Sequence, residues 1–169
     1  LVPGVQVSET SSSVWAISAR GFAGRFARSL LVLVDGRSVY TPSFSGVYWE
    51  TQDLPLDEIE RIEVIRGPGA TLWGANAVNG VINIITRRAV DSQGGFATAG
   101  GGNLDRVMTS ARYGVRLGPA THLRTWGKFF RRNETGGTDG QGMADQWDFG
   151  RAGFRMDWSG TPERQVSVH

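Results

Sequence analysis

The stretch that most restricts the fold of this chain covers residues 59–87 and reads IERIEVIRGPGATLWGANAVNGVINIITR. Residues 59–65 and 81–86 are rich in isoleucine and valine, and short apolar segments of this kind predict β-strands. The connection between them is rich in glycine and asparagine, which predicts tight turns. We therefore expect two strands joined by an irregular segment with one helical turn around residues 75–78.

The residues before this stretch predict further strands and one short helix. Residues 30–34, LLVLV, are apolar at every position, which is typical of a central strand covered on both faces. The pair Asp35-Gly36 predicts a tight turn into a short strand. Residues 54–60 predict the start of a short helix with Asp57 as its N-cap. The first half of the chain is thus expected to be a mainly β module with short helices.

The second half of the chain alternates apolar with polar residues, as strands with two different faces do. Short connections at residues 118–120 and 159–163 alternate with a long one at 133–145, and another strand begins near Arg164. The segments have about the length that a tilted strand needs to cross a membrane. A soluble β-sandwich or meander also alternates, so the pattern alone leaves both architectures open. The clearest segment would place Ala152, Phe154, Met156 and Trp158 on one face and Arg151, Gly153, Arg155 and Asp157 on the other.

Composition excludes several classes of function. The net charge is only +2, with 18 basic and 16 acidic residues, so no basic surface for nucleic acid is predicted. The absence of cysteine excludes disulfides and cysteine-based metal sites. His122 and His169 are far apart and have no nucleophile or metal-ligand set near them in the sequence. The glycines after Arg66 lack the spacing of a phosphate-binding loop. We predict no enzyme activity, no metal site and no cofactor.

Three motifs in the first ninety residues carry a resemblance to a known family. They are Arg20-Gly21-Phe22, the strand-turn-strand LVLVDGRSVY at residues 31–40, and the stretch at residues 59–87. In this order they resemble the plug domain of TonB-dependent outer-membrane receptors, and the LVPGV at the start of the chain is similar to a segment of that domain. Residues 91–169 are similar to the family's first barrel strands only in their order along the chain and in their alternation of apolar with polar residues.

The resemblance implies a fold and a function. Residues 1–90 would be an N-terminally truncated α+β plug, and residues 91–169 about four antiparallel strands that begin a 22-stranded transmembrane barrel. Such receptors lie in the bacterial outer membrane, in contact with its lipid. They import scarce ligands such as iron–siderophore complexes, haem or cobalamin with energy from TonB, which binds a segment that this sequence does not contain. We expect the chain to be a fragment of such a receptor. The alternative is a soluble β-rich binding module without transport activity.

The resemblance also implies roles for individual residues. Arg20 and Arg66 match two plug arginines that pair with acidic residues of the barrel wall; the alternative is that both are solvated strand-end residues. The plug loops at residues 21–29 and 41–49 would face the ligand, although their aromatic side chains could instead pack under the barrel wall. The side chains expected to meet an anionic ligand in this region are Arg25, Arg28, Arg37, Phe44, Tyr48 and Trp49.

The sequence also predicts roles for several glutamates and glycines of the first half of the chain. Glu63 is expected to pair with Arg61 or Arg66, whereas Glu58 and Glu60 are expected to form a solvated edge. The glycines are expected to permit tight turns and positive φ angles. Those assigned to structural turns are Gly21, Gly36, Gly67, Gly69, Gly74 and Gly80.

Overall fold

A computed structural model of the chain describes residues 3–9, 11, 14–19, 29–41, 43, 46–74, 76–135, 144–161 and 164–169. The chain divides into two compact units, Leu1–Thr86 and Arg87–His169. In both units the described residues lie mainly in strands, and their helices are short. Among these residues, no helix has the length and apolar character needed to span a membrane.

The first unit contains a hairpin and a four-stranded sheet. The hairpin pairs β1 (Val5–Glu9) with β2 (Trp15–Ala19). The sheet contains β3 (Leu30–Val34), β4 (Arg37–Ser38), β5 (Ile59–Arg66) and β6 (Gly80–Thr86). Its strand order is β4-β3-β6-β5, in which β3 and β6 run parallel and the two outer pairs run antiparallel. The predicted strands at residues 30–34, 59–65 and 81–86 are confirmed.

The parallel strands β3 and β6 form the buried centre of this sheet. Val32 and Val81 are fully buried, and Leu31, Leu33 and Ala77 complete the core around Val81. Burial of a leucine or valine side chain contributes about 1.5–3 kcal/mol, so this pair of strands supplies much of the unit's stability. The all-apolar sequence of β3 agrees with burial on both faces, since its successive residues Leu30–Leu33 are all buried.

The predicted turn at Asp35-Gly36 is confirmed, and it also fixes the end of β6. Asp35 and Gly36 have φ angles of 48° and 78°. The Asp35 carboxylate accepts a hydrogen bond from the Thr86 backbone N–H at 2.8 Å and another from the Thr86 hydroxyl at 2.7 Å. The turn after β3 is therefore tied to the last residue of β6.

The connection from β5 to β6 differs from the prediction. Its helical turn is α1 (Ala70–Trp73), so the helical turn expected around residues 75–78 is wrong. The backbone N–H of Trp73 closes this turn by donating a hydrogen bond to the Gly69 carbonyl oxygen at 2.8 Å. It ends early because Gly74 and Asn76 have φ angles of 83° and 74°, which no right-handed helix accommodates.

Two further expectations before β5 are corrected. A 3₁₀ turn covers Leu56–Glu58, but Pro55 occupies its N-cap position and no side chain caps it, so Asp57 is not an N-cap. Glu58 is only 1% exposed, and the solvated edge expected there is wrong for this residue. Glu60 is exposed as expected, and it pairs with Arg61 at 2.6 Å.

The second unit begins with a 3₁₀ turn at Ala89–Ser92 and continues as an antiparallel meander. Its five strands are β7 (Gly94–Gly100), β8 (Asp105–Gly118), β9 (Thr121–Arg132), β10 (Trp147–Thr161) and β11 (Arg164–Val168). Each strand pairs with its neighbour in the sequence. The strand expected to begin near Arg164 is thus the fifth of the described sheet.

The register places apolar and polar residues on opposite faces of this sheet. Tyr113 lies opposite Thr125, which lies opposite Phe154, and this apolar face also contains Phe129 of β9. Arg112 lies opposite Trp126 on the other, polar face, which also contains Arg124 and Arg155, whereas Arg131 at the end of β9 lies on the apolar face. The predicted alternation of β10 is confirmed by its pairing with β9.

Exposure on these two faces is the reverse of that in a soluble sheet. On the apolar face, Tyr113 is 60% exposed and Phe154 is 48% exposed. On the polar face, Arg124 and Phe130 are 1% and 6% exposed. Soluble sheets bury their apolar face against a core, so this exposure favours an apolar solvent over water.

The Asp35–Thr86 contact predicts a large effect on the first unit. We expect Asp35→Ala to lower its free energy of unfolding by about 1–3 kcal/mol, because the Thr86 amide and hydroxyl lose charged acceptors. Urea unfolding of residues 1–86, followed by tryptophan fluorescence, measures the change. Glu60→Ala is the matched control, since it removes an exposed ion pair worth about 0–1 kcal/mol. Equal effects of the two substitutions would contradict the assigned role of Asp35.

Glu63 predicts a dependence of stability on pH. Arg61 Nε donates to Glu63 Oε1 at 2.9 Å, and Asn83 Nδ2 donates to Oε2 at 3.2 Å. Chiefly through the Arg61 bond and then the Asn83 bond, the pKa of Glu63 is held below its ordinary value. This stabilisation is complete above the ordinary carboxyl pKa and is lost as pH falls through the lowered one. We expect Glu63→Gln to reduce the difference between urea midpoints at about pH 6.5 and about pH 3.5. If Glu63→Gln leaves the difference between the two urea midpoints unchanged, the contribution of Glu63 to the pH dependence of stability is contradicted.

Candidate functional site

The two arginines predicted to hold the plug are not seen together. Arg20 lies outside the described residues. Arg66 ends β5 with an exposed side chain, and its Nη1 donates to the Pro3 carbonyl oxygen at 3.2 Å. That bond links β5 to the segment before β1. Glu63 takes Arg61 rather than Arg66 as its partner.

The predicted ligand-facing residues are partly described. Arg25, Arg28 and Phe44 lie outside the described residues. Arg37 is exposed on the short strand β4. Tyr48 and Trp49 are half-buried at the start of a 3₁₀ turn, Trp49–Thr51. The indole nitrogen of Trp49 is buried and has no hydrogen-bond partner among the described residues, so this side chain packs within the unit.

The predicted turn glycines have unusual backbone conformations or close neighbours, except Gly21, which lies outside the described residues. Gly80 shows why glycine is needed, because a Cβ atom there would lie 2.5 Å from the Ile65 carbonyl oxygen. Gly69 has no positive φ angle, but a Cβ would lie 3.3 Å from the Trp73 side chain. Positive φ angles are found at Gly36, Gly67, Gly74 and Gly80.

An aromatic–cation cluster lies on the polar face of the second unit, where β9 ends and β10 begins. The Phe130 ring contacts Trp147 edge to face at 5.2 Å between centroids, and Phe149 is 5.5 Å from Trp147. Two cations lie over Phe130: the Arg132 guanidinium at 5.5 Å and the Lys128 ammonium at 5.8 Å from the ring centroid. We call these five residues the aromatic–cation cluster.

A polar cavity of about 390 Å³ lies at the same end of the sheet. Arg132 is shared with the cluster, and its Nε donates to Asp105 at 2.6 Å. The turn at residues 101–104 lies at this end, as do residues 133–135 and 144–146, which flank β9 and β10. The cavity is lined by Arg106, Arg131, Arg132, Asn133, Gln146, Trp147 and Asp148.

The electrostatics of this region suit one class of ligand. Arginine and lysine attract anions, and flat aromatic rings offer apolar surface to planar groups. Because the rings and cations lie on the same face, a ligand with both negative charge and planar rings could contact both kinds of group. The described residues contain no cluster of three or more histidine, cysteine, aspartate or glutamate side chains placed to bind a metal ion.

Sequence reasoning missed this cluster because it depends on pairing between strands. One signal was present in the sequence: Lys128, Phe130 and Arg132 recur with a period of two, which places them on one face of a strand. That Trp147 and Phe149 belong to the same cluster follows only from the pairing of β9 with β10, which places them opposite Arg132 and Phe130.

Comparison with known proteins identifies the first unit. Residues 1–81 match the family model described as the TonB-dependent Receptor Plug Domain. The vitamin B12 transporter BtuB of Vibrio vulnificus is 36% identical over 104 residues, which are 60% of this chain and 16% of that protein. The ferric enterobactin receptor PirA of Pseudomonas aeruginosa is 30% identical over 152 residues, which are 82% of this chain and 20% of that protein.

A solved structure extends the similarity across both units. The copper transporter OprC superposes with a TM-score of 0.73 at 19% identity and covers 98% of this chain and 25% of its own. At this identity the likeness concerns the fold alone. The chain thus spans about a quarter or less of the proteins it matches. They are named as transporters and a receptor rather than as enzymes, in agreement with the prediction that the chain is not an enzyme. Residues 1–81 therefore form the plug domain of a TonB-dependent receptor, and antiparallel strands follow it in the chain.

Proposed function

We propose that the chain is part of a bacterial outer-membrane receptor that binds an anionic metal chelate, such as a ferric siderophore, and imports it with energy from TonB. The observation that carries this proposal is the contrast between the two faces of the second unit. One face is apolar and exposed, and the other contains buried arginine and the aromatic–cation cluster.

Lipid is the solvent that suits the apolar face. Phe129, Tyr113 and Phe154 would each lose favourable free energy in water, at about 25 cal/mol per Å² of exposed apolar surface. In a membrane, the outer strands β7 and β11 also need partners for their backbone groups, and a closed barrel provides them. The soluble β-rich alternative is disfavoured because it would leave these apolar side chains in water.

The aromatic–cation cluster supports a ligand with negative charge and planar rings. Lys128 and Arg132 would attract the charge, while Trp147 and Phe149 would contact flat rings. The connection from β9 to β10 is long in the sequence, and outer-membrane barrels have long external loops and short internal turns, so this end of the two strands would face outward. The proposal thus places ligand capture at this end of the sheet.

The plug residues retain their proposed roles. Arg20 and Arg66 would hold the plug through pairs with acidic residues of the barrel, and such enclosed pairs cost about 3–5 kcal/mol to break when one partner is removed. The loops with Arg25, Arg28, Arg37 and Phe44 would add contacts to the ligand. Tyr48 and Trp49 contribute less, because both are half-buried.

Cobalamin is the second candidate ligand. A relative with 36% identity is named as a vitamin B12 transporter, while another with 30% identity is named as a ferric enterobactin receptor. The two ligands differ in charge, since a ferric tris-catecholate is strongly anionic and cobalamin is not. An anionic ligand should bind less tightly as salt screens the cations, whereas cobalamin binding should change little.

The complete receptor should therefore be purified and titrated with ferric tris-catecholate, ferric hydroxamate, haem and cobalamin at low and high salt. We expect tightest binding of the anionic catecholate and weaker binding at high salt. Saturable binding of cobalamin alone, without salt dependence, would overturn the siderophore as the ligand. It would leave the proposal that the protein is a ligand-importing receptor intact. Binding of none of the four would contradict the proposed function itself.

The cluster predicts the effect of removing its cations. We expect Lys128→Gln combined with Arg132→Gln to weaken catecholate binding about tenfold, equivalent to roughly 1.4 kcal/mol. Arg116→Gln is the matched control, because Arg116 lies on the same face at the opposite end of β8 and donates to Gly118 and Pro119 carbonyl oxygens. Equal weakening by the control would show that the effect is not local to the cluster.

A further inference from the structure

The segment that opens the second unit, residues 87–93, is held against the polar face of the sheet. Ala89 is fully buried and Ser92 is 2% exposed, although both belong to a short 3₁₀ turn rather than to the sheet. A connecting segment on a protein surface is normally more exposed than this. The contacts that bury it come from three adjacent strands, β8, β9 and β10.

Arg124 of β9 provides the first contact. Its side chain is 1% exposed, and Nη1 donates to the backbone carbonyl oxygen of Arg87 and, at 3.5 Å, to the Ser92 hydroxyl. The Ser92 hydroxyl in turn donates to the Arg88 carbonyl oxygen at 3.1 Å. One enclosed guanidinium therefore contacts both ends of the turn.

Asp157 of β10 provides the second contact. Its Oδ2 accepts a hydrogen bond from the backbone N–H of Ala89 at 2.6 Å. Arg155 Nε donates to both carboxylate oxygens, at 2.9 Å and 3.1 Å. The two side chains are only 14% and 13% exposed, so this carboxylate is shielded and held in place.

Gly114 of β8 provides the third contact by having no side chain. The Ser92 carbonyl oxygen lies so close over Gly114 that a Cβ atom would overlap it, and Gly114 itself is buried. The sheet thus has a recess at this position into which the turn fits. Gly100, on the same face of β7, has no atom within 4 Å of a Cβ built there.

We propose that Arg124, Asp157 and Gly114 form an anchor that holds residues 87–93 on the inner wall of the barrel throughout transport. The inference rests on the proposed function. Movement of the first unit during import then pivots at or before Arg87, and the connecting segment does not leave the wall. Arg124 and Asp157 act as positioning residues, since they touch the segment rather than the ligand.

A reversible covalent bond tests this anchor in the complete receptor. The Ala89 nitrogen lies 2.6 Å from Asp157 Oδ2, so Ala89→Cys with Asp157→Cys introduces two thiols on residues in direct contact, and thiol labelling measures the fraction that forms a disulfide. This chain has no other cysteine. We expect oxidised and reduced forms to import a radiolabelled ferric tris-catecholate at rates that agree within about twofold.

A loss of uptake on oxidation would contradict the anchor. If oxidation lowers uptake about tenfold or more and a reducing agent restores it, the segment must leave the wall and the proposal is wrong. If the thiols do not oxidise, the geometry does not suit a disulfide, and the hydrogen-exchange comparison below decides the proposal. Each single cysteine variant, treated with the same oxidant, controls for other effects of oxidation.

Hydrogen exchange tests the anchor without transport. In the purified receptor, we expect slow exchange of the backbone amides of residues 89–92, at least about tenfold faster exchange in Gly114→Ala, and no change in Gly100→Ala. Fast exchange in the unsubstituted receptor, or equal rates in both variants, would overturn the anchor. A receptor that imports nothing but protects these amides would contradict the proposed function while leaving the anchor intact.

Discussion

The outward apolar face of the five-stranded sheet is the constraint on which the rest of the second unit depends. Because Tyr113, Phe154 and their neighbours occupy the exposed side, Arg112, Arg124 and Arg155 at the alternating positions lie on the other side. Burial of Arg124 follows from this arrangement. So does the grouping of rings and cations around Phe130, since both types of side chain share the inner face.

The first unit has the opposite design, with its apolar residues inside. Its centre is the parallel pair β3 and β6, and the Asp35 carboxylate joins the turn after β3 to Thr86 at the end of β6. The next residue, Arg87, presents its carbonyl oxygen to Arg124. Side-chain contacts thus hold Thr86 within the first unit and Arg87 within the second.

Local patterns predicted most of the strands and both faces of the sheet, because alternation and apolar runs act over a few residues. The helical turn expected after residue 74 was wrong, since the left-handed conformations of Gly74 and Asn76 ended it earlier. Glu58 was expected in solvent and is buried. The aromatic–cation cluster and the anchor depend on contacts between residues distant in sequence, such as Ala89 with Asp157, and no local pattern reveals them.

Nitroxide labels placed one at a time at residues 150–158 of β10 test the orientation of the sheet most directly. In the complete receptor reconstituted in lipid vesicles, the account predicts that even-numbered positions, such as 152, 154 and 156, are accessible to oxygen dissolved in lipid. Odd-numbered positions should be shielded from it, giving a period of two along the strand. Even-numbered positions accessible to a water-soluble nickel chelate, or no period at all, would contradict a lipid-facing apolar face.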